Sequence, residues 1–331
     1  MRRLAPVPDR RFPSYPGRRR LLIAGGAGTL LAGCASADPR AVGSGAVAGP
    51  DAVASDRGLR TSPDDSPLPG ELRRTLAALS RPWVLALGEV HDHPGLHARR
   101  LAWLRAMVDA PLRPCLALEQ FDASRQAELD AAQRRPSPEA RAVAAAGGFD
   151  FAGWDWPLYE PLIGLALAHG LPLLGANLPA AEVASIARGR GSGGEPPPDW
   201  RDADEAAQRR LLDEGHCGLL PAAMLAPMAR AQRARDAGMA RAAVAGVARH
   251  AMPVVLIAGN GHVRRDLGVP RFLAAAGHVG AVISVGFVEQ PDADGQARRD
   301  PSGLHDWRVA LPALDRPDPC EALRARFGRP R

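Results

Sequence analysis

The sequence predicts an α/β fold, with a mainly parallel central sheet covered by helices on both faces and an additional helical subregion. Short, continuously apolar runs recur along the chain, as in strands that are buried on both faces. Helical patterns separate these runs, which indicates that the strands are mainly parallel. Polar residues follow several of the runs, and ligands of such sheets bind beyond the carboxyl ends of the strands. The sequence therefore places a functional site at that edge of the sheet.

The predicted strands and helices alternate from about residue 71 onward. Strands are predicted at 83–87, 115–118, 171–174, 253–258, 280–285 and 307–310. Helices are predicted at 95–109, 123–134, 137–146, 158–169, 180–188, 202–213 and 221–249, with a flexible loop at 189–198. We therefore expect residues 71–331 to form one α/β domain.

Residues 1–33 show the order of parts that is typical of a bacterial export signal. A basic segment is followed by an apolar stretch at 21–31 and then by Leu31-Ala32-Gly33-Cys34. The apolar stretch is too short to span a membrane as a helix. The tetrapeptide resembles a lipobox, in which the cysteine is lipidated and the bond before it is cut. We therefore expect a lipoprotein signal peptide at 1–33, a stable lipid anchor on Cys34 and a flexible tether over 34–70.

The positive charge of the chain is confined to this N-terminal segment. The whole sequence has a formal net charge of +6, and residues 1–33 contain seven arginines and one aspartate, which account for all of it. The remaining chain is neutral, so no nucleic-acid-binding surface is expected. Ala35 follows the expected lipidated cysteine, and no aspartate is present there to signal inner-membrane retention. The expected location is the outer membrane, with the domain facing the periplasm.

Three cysteines lie beyond Cys34, which allows at most one disulfide among them. Cys115 lies in an apolar run and is expected in the core. A disulfide between Cys217 and Cys320 is compatible with an oxidising envelope, and the spacing alone leaves it open.

Two tetrapeptides of the form Gly-x-x-His follow apolar runs that are far apart in the sequence. Gly88-Glu89-Val90-His91 follows the first predicted strand, and Gly259-Asn260-Gly261-His262 follows the fourth. We interpret them as turns that bring both histidines into one cleft, where Glu89 and His91 bind a metal, act as acid and base, or contact an acidic ligand. The plain alternative is two turns that happen to contain histidine. His93 and His97 have the spacing of a metal pair on a helix, but we expect an exposed first helical turn there.

A third candidate is Glu119, a carboxylate at the end of the second predicted strand. Burial of a carboxylate is unfavourable without a partner, and that partner could be Arg235, His91 or a metal. Arg235 lies with Gln232 and Asp236 on one face of the long helix predicted at 221–249. This polar stripe is expected either to orient the strand-end groups or to contact an acidic ligand.

An aromatic segment, Gly153-Trp154-Asp155-Trp156-Pro157-Leu158-Tyr159, stands out because aromatic residues make up only 5% of the chain. It is interpreted either as a loop whose rings cap the core or as an apolar face for a flat ligand. The sequence contains two tyrosines, and Tyr15 lies in the expected signal peptide. A tyrosine ligand in the mature protein would therefore have to be Tyr159.

Taken together, these motifs resemble the ChaN family of haem-binding, iron-regulated lipoproteins. The resemblance extends over roughly residues 80–290. It rests on Leu87-Gly88-Glu89-Val90-His91-Asp92, Leu118-Glu119, Asn177-Leu178-Pro179, His216-Cys217-Gly218, Ala231-Gln232, Arg235-Asp236, Met239-Ala240 and Gly259-Asn260-Gly261-His262-Val263-Arg264.

The resemblance implies that the chain binds haem and takes part in haem or iron uptake. In that family a tyrosine oxygen ligates the haem iron, which implies Tyr159 here, because phenolate suits ferric iron. His91, His262 and Arg235 are implied as further haem contacts. Two protomers of the family enclose a stacked pair of haems, so a haem-dependent homodimer is implied as well. The family uses a lysine at the propionates, whereas this sequence contains no lysine, and an arginine would have to replace it.

The paired Gly-x-x-His motifs are also similar to those of the wider superfamily of Tiki-type metalloproteases and erythromycin esterases. That resemblance implies an alternative function, a metal-dependent hydrolase in which Glu89, His91, Glu119 and His262 bind the metal or activate water. A third possibility is a non-enzymatic envelope module whose polar cleft is vestigial. We rank haem binding first.

Overall fold

The structure is a computed structural model that describes residues 68–79, 82–110, 112–278, 280–318, 320–321 and 324–325. The predicted signal peptide, Cys34 and almost all of the predicted tether lie outside these residues. The helices are α1 Gly70–Ala78, α2 Pro94–Asp109, α3 Gln126–Gln133, α4 Ala140–Ala146, α5 Trp156–Ala168, α6 Ala180–Ala187, α7 Asp202–Gly215, α8 Ala222–His250 and α9 Val269–Leu273. The strands are β1 Val84–Leu87, β2 Cys115–Asp122, β3 Leu173–Asn177, β4 Val254–Ile257, β5 Val282–Glu289, β6 Ala297–Arg299 and β7 Trp307–Leu311.

The described strands form one sheet in the order β3-β2-β4-β1-β5-β7-β6. Every neighbouring pair is parallel except β6 and β7, which are antiparallel. The predicted mainly parallel sheet is therefore confirmed. Strands β2, β4 and β1 are adjacent in its middle, so the residues that follow them emerge side by side at one edge.

The central strands are apolar on both faces because helices cover both sides of the sheet. In β1, Leu85 and Leu87 belong to a core cluster with residues of α2 and α5, such as Trp103 and Ile163. Val84 and Ala86 point to the other side, where they join a cluster that includes Met239 of α8. This alternation places α8 and α9 on one face of the sheet and α1 to α5 on the other.

Strands β2 and β5 continue well beyond their predicted ends, and this changes where the polar residues lie. Strand β2 continues to Asp122 because it pairs with β3 past a register irregularity, so Glu119 lies inside the strand and not after it. Strand β5 continues to Glu289 because its second half pairs with β7. The short elements α9 and β6 have too few residues to show a clear period in the sequence.

The structure joins Cys217 and Cys320 by a disulfide across a sequence separation of 103 residues, and Cys115 is a buried free thiol. The bridge ties the C-terminal segment to the turn that follows α7. None of the described helices has the length and the apolar character that crossing a bilayer requires.

Candidate functional site

The turns after β1 and β4 interlock, and this contact requires a glycine at position 88. The Asn260 side chain accepts a hydrogen bond from the backbone N–H of Phe287 at 3.0 Å and donates to the carbonyl of Glu89 at 3.2 Å. A Cβ atom on Gly88 would lie 2.0 Å from the Asn260 Oδ1 atom. The first Gly-x-x-His motif thus needs its glycine because the second motif packs directly against it.

Glu89 is buried at the centre of a hydrogen-bond network. Its Oε1 atom lies 2.7 Å from the His91 Nδ1 atom, and it accepts hydrogen bonds of 2.8 Å from Gln120 Nε2 and of 2.8 Å from the Tyr159 hydroxyl. Its Oε2 atom accepts from the Arg100 guanidinium, which is itself buried in α2. Burial opposes ionisation of Glu89, but Arg100 and His91 outweigh it and hold the pKa of the carboxyl well below its usual range.

Glu119 is the second buried carboxylate. It accepts from Arg235 at 2.5 Å and from the backbone N–H of Gly259 at 2.6 Å, and the His262 Nε2 atom lies 3.6 Å away. Burial again opposes ionisation, but the nearby His262 and Arg235 lower the pKa of Glu119 to about 2. Arg235 also donates to the side-chain oxygen of Asn177 at 3.0 Å, so the end of β3 takes part as well.

The His262 ring is oriented by Asp236 of α8. Its Nδ1 atom lies 2.6 Å from the Asp236 Oδ1 atom, and Gln232 approaches the same nitrogen at 3.1 Å. Burial raises the pKa of Asp236, in spite of the opposing effect of His262. Because Asp236 contacts Nδ1, the Nε2 atom of the ring faces Glu119. An imidazole that lies between two carboxyl groups can hold a proton or pass it on.

Glu89, His91 and Glu119 each offer a ligand atom, and these three atoms lie within 4.8 Å of one another. Two carboxylates and an imidazole are a suitable donor set for a divalent cation such as zinc, manganese or iron. Four residues that the sequence singles out at strand ends therefore meet Arg235 of α8 in one cluster: Glu89, His91, Glu119 and His262. We call these five residues the strand-end cluster.

The predicted exposure of His93 and His97 is wrong, because both side chains are buried. His93 caps helix α2 by accepting from the backbone N–H of Leu96, and its other ring nitrogen lies 3.0 Å from the carbonyl oxygen of Pro312. His97 lies 3.0 Å from an Arg100 nitrogen, and burial together with the Arg100 charge lowers its pKa to about 3. The C-terminal segment and α5 cover this turn, which no local pattern reveals.

Tyr159 lies inside the protein, with a side chain that is 0% exposed. Its ring packs against His97, Phe149 and Trp154 at centroid distances of 5.0, 5.5 and 5.7 Å. Burial and the Glu89 carboxylate raise the pKa of the phenol well above its usual range. An axial ligand has to present its oxygen to the face of a porphyrin, so haem ligated by Tyr159 does not fit this arrangement.

Sequence reasoning missed two members of the network around Glu89, namely Arg100 and Gln120. A signal for Arg100 exists, because it shares a helical face with Leu96, Trp103 and Met107, all of which are buried. An arginine on the apolar face of a helix needs a buried anionic partner. Gln120 gives no such signal, because its role depends on the extension of β2 beyond the predicted end.

Comparisons with known proteins match the chain to one family and one fold. The family described as haem-binding uptake, Tiki superfamily, ChaN matches residues 75–273. A solved structure described as cofacial heme binding to ChaN of Campylobacter jejuni has a TM-score of 0.56 and 20% sequence identity, and the match covers 68% of this chain and 86% of that chain. A search of curated proteins found no match.

More distant structural matches include the type III effector HopBA1, with a TM-score of 0.38 and 12% identity over 70% of this chain and 88% of that chain. They also include a mutant of the erythromycin esterase EreC in its open conformation, with a TM-score of 0.37 and 13% identity over 72% of this chain and 78% of that chain. Neither likeness is close enough to support an argument about function.

Proposed function

Because this chain belongs to the ChaN family of haem-binding uptake proteins in the Tiki superfamily, we propose that it binds haem itself and does so while anchored in the cell envelope. The observation that carries the proposal is the family match over residues 75–273, which includes every member of the strand-end cluster. The fold it shares with ChaN of Campylobacter jejuni supports the same assignment of the domain.

Within the cluster, His91 and Arg235 are the side chains that reach the surface, with 20% and 19% of their area exposed. Imidazole is a common ligand of haem iron, and a guanidinium pairs with carboxylates such as the haem propionates. Trp154 contacts the His91 ring edge-on at a centroid distance of 4.8 Å and adds an apolar wall beside it. We therefore place the proposed haem contacts at His91 and Arg235, with His262 behind them.

The envelope location is proposed from residues 1–34. The basic segment, the apolar stretch and the Leu31-Ala32-Gly33-Cys34 tetrapeptide together support export and lipidation of Cys34. A lipid anchor facing the periplasm suits a protein that meets haem outside the cytoplasm. A haem-dependent homodimer with stacked haems is proposed on the family resemblance alone.

Titration of the purified full chain with haemin tests this function. We expect a saturable shift of the Soret band, and weaker binding in His91→Ala and Arg235→Ala. His169→Ala is a suitable control, because His169 is partly exposed and lies outside the cluster. A Soret band that matches free haemin at every ratio would rule the function out.

A second candidate function is a metal-dependent hydrolase, and the specific observation in its favour is the close grouping of Glu89, His91 and Glu119. A divalent cation held there would lower the pKa of a bound water. His262, backed by Asp236, is placed to take a proton within the same cluster. Metal analysis and a panel of ester and peptide substrates test this candidate. Activity that survives both His91→Ala and His262→Ala would exclude this cluster as the catalytic site.

A further inference from the structure

We infer that Tyr159 is a positioning residue for Glu89 and that it does not ligate haem iron in this chain. The part of this inference that concerns haem rests on the proposed function. It states that the haem iron does not use the Tyr159 side chain. It replaces the expectation that the sole tyrosine beyond Tyr15 must be the iron ligand.

The Tyr159 phenol is enclosed by the protein. Helix α5 begins at Trp156 with proline in its first turn, and it carries Tyr159 on the face that also buries Leu162 and Ile163. The hydroxyl therefore points into the domain, toward the carboxyl end of β1. For a haem to reach the oxygen, the first turn of α5 and the aromatic segment before it would have to leave the core.

The hydrogen bond between Tyr159 and Glu89 runs from the phenol to the carboxyl group. The Tyr159 hydroxyl donates a hydrogen bond of 2.8 Å to the Glu89 Oε1 atom, which a deprotonated phenol could not do. Iron ligation would require a phenolate oxygen, which would lie as an anion beside the Glu89 anion at the present distance of 2.8 Å. The same oxygen is also 3.4 Å from the Gln120 amide nitrogen.

This hydrogen bond helps to hold the Glu89 side chain in place. The Glu89 Oε1 atom meets Tyr159, Gln120 and His91, so the phenol and the amide fix the oxygen that in turn orients the imidazole. Side chains that hold a ligand through a hydrogen bond set its orientation and its basicity. Tyr159 thus acts on the strand-end cluster from the inside and leaves contact with any ligand to His91 and Glu119.

The haem arm of the test uses the full chain and needs no variant for its main readout. Resonance Raman spectra of the ferric haemin complex should lack the vibrational modes of an iron-bound phenolate. Haemin titration of Tyr159→Phe should still give a saturable Soret shift at the native position, because the ring and its packing are retained, with an affinity no more than about 10-fold weaker through looser orientation of His91. Thr75→Val is the matched control, since it removes a hydroxyl from an exposed position in α1 outside the cluster.

The second arm does not depend on haem. Cobalt(II) is used as a spectroscopic probe of the cluster, with visible absorption as the signal. We expect Tyr159→Phe to weaken cobalt binding by about 10-fold, the lower end of the range for loss of a group that orients a metal ligand. Thr75→Val should bind cobalt as the native chain does, and circular dichroism checks that all three chains are folded.

Phenolate modes in the native haemin complex, or loss of haemin binding in Tyr159→Phe alone, would overturn the inference. Equal cobalt affinity in the native and Tyr159→Phe chains, or no cobalt binding by either, would overturn the positioning role. If the native chain binds no haemin, the proposed function fails, and the cobalt titration alone decides whether Tyr159 positions Glu89.

Discussion

Glu89 and Glu119 are buried carboxylates, and each is paired with an arginine that a helix supplies. Arg100 of α2 is 2% exposed, whereas Arg235 of α8 is partly open to solvent. A buried ion pair adds little net stability compared with an apolar pair, but removal of one partner leaves an uncompensated charge in the core. The two arginines therefore differ in what their loss would do.

Replacement of Arg100 by methionine is expected to lower the free energy of unfolding by about 3–5 kcal/mol, because the Glu89 carboxylate loses its cation in a buried place. Urea denaturation followed by circular dichroism measures the effect. Arg298→Met is the matched control, since Arg298 pairs with Asp294 on an exposed surface and its loss should have no measurable effect. Equal stabilities of the two variants would contradict the importance of the buried pair.

The buried His97 predicts a pH dependence of stability with a definite sign. Its pKa falls from 6.5 to about 3, so between these values the unfolded chain binds a proton that the folded chain does not. The contribution of His97 to the free energy of unfolding is therefore present above pH 6.5 and is lost as the pH falls toward 3. The slope cannot exceed about 1.4 kcal/mol per pH unit for one group.

Unfolding should be measured between pH 5 and 7, above the range in which Glu89 and Glu119 contribute. We expect the native chain to lose stability on acidification and His97→Gln to show a flatter profile. His169→Gln, at a partly exposed position, should follow the native profile. A His97→Gln profile as steep as that of the native chain would contradict this interpretation.

At the level of strands and helices, the cluster exists because three adjacent parallel strands end at one edge. The turn after β1 is packed against the turn after β4, and Gly88 is the point of contact. Gly88→Ala is expected to destabilise the chain by about 1–3 kcal/mol, because the Cβ atom of the alanine would overlap the Asn260 side chain. Thermal unfolding of the variant measures this effect.

Gly164→Ala provides the matched control within helix α5. A Cβ atom at Gly164 would meet no other atom within 4 Å. Alanine is favoured over glycine inside a helix by about 0.5–1 kcal/mol, so this variant should be as stable as the native chain or more stable. A destabilised Gly164→Ala together with a neutral Gly88→Ala would contradict the described packing.

The strand ends explain how far the site could be predicted from the sequence. Glu89, His91 and His262 follow apolar runs directly, so the sheet topology alone brings them together. Gln120 was missed because pairing of β2 with β3 carries the strand past its apolar part. The burial of His93 was also missed, since it depends on the C-terminal segment, which lies more than 200 residues away in the sequence.

The position of the Tyr159 hydroxyl could not be predicted by excluding the other tyrosine. The sequence reduces the tyrosine candidates to one, but it does not reveal toward which side of α5 the phenol points. Its direction follows from the core packing of α5 against α2 and from the carboxylate at the end of β1. Long-range packing of this kind has no local signature in the sequence.

At the level of the whole molecule, the proposed lipid anchor on Cys34 precedes the domain for which haem binding is proposed. We expect Cys34→Ala to move the protein from the membrane fraction to the soluble fraction of the cell envelope, because two or three acyl chains give a stable anchor and one residue carries them all. Membrane fractionation and labelling with a radioactive fatty acid measure this. Cys115→Ser is the control, because Cys115 is a buried thiol in β2. Membrane attachment that persists in Cys34→Ala would contradict the anchor.

The most direct test of the central claim is a haemin titration of the native full chain, with absorbance and native mass recorded at each ratio. We expect a saturable Soret shift, a mass increase by whole haem units and a species of twice the chain mass once haem is bound. Absorbance that follows free haemin throughout, with no change in mass, would contradict haem binding by this chain.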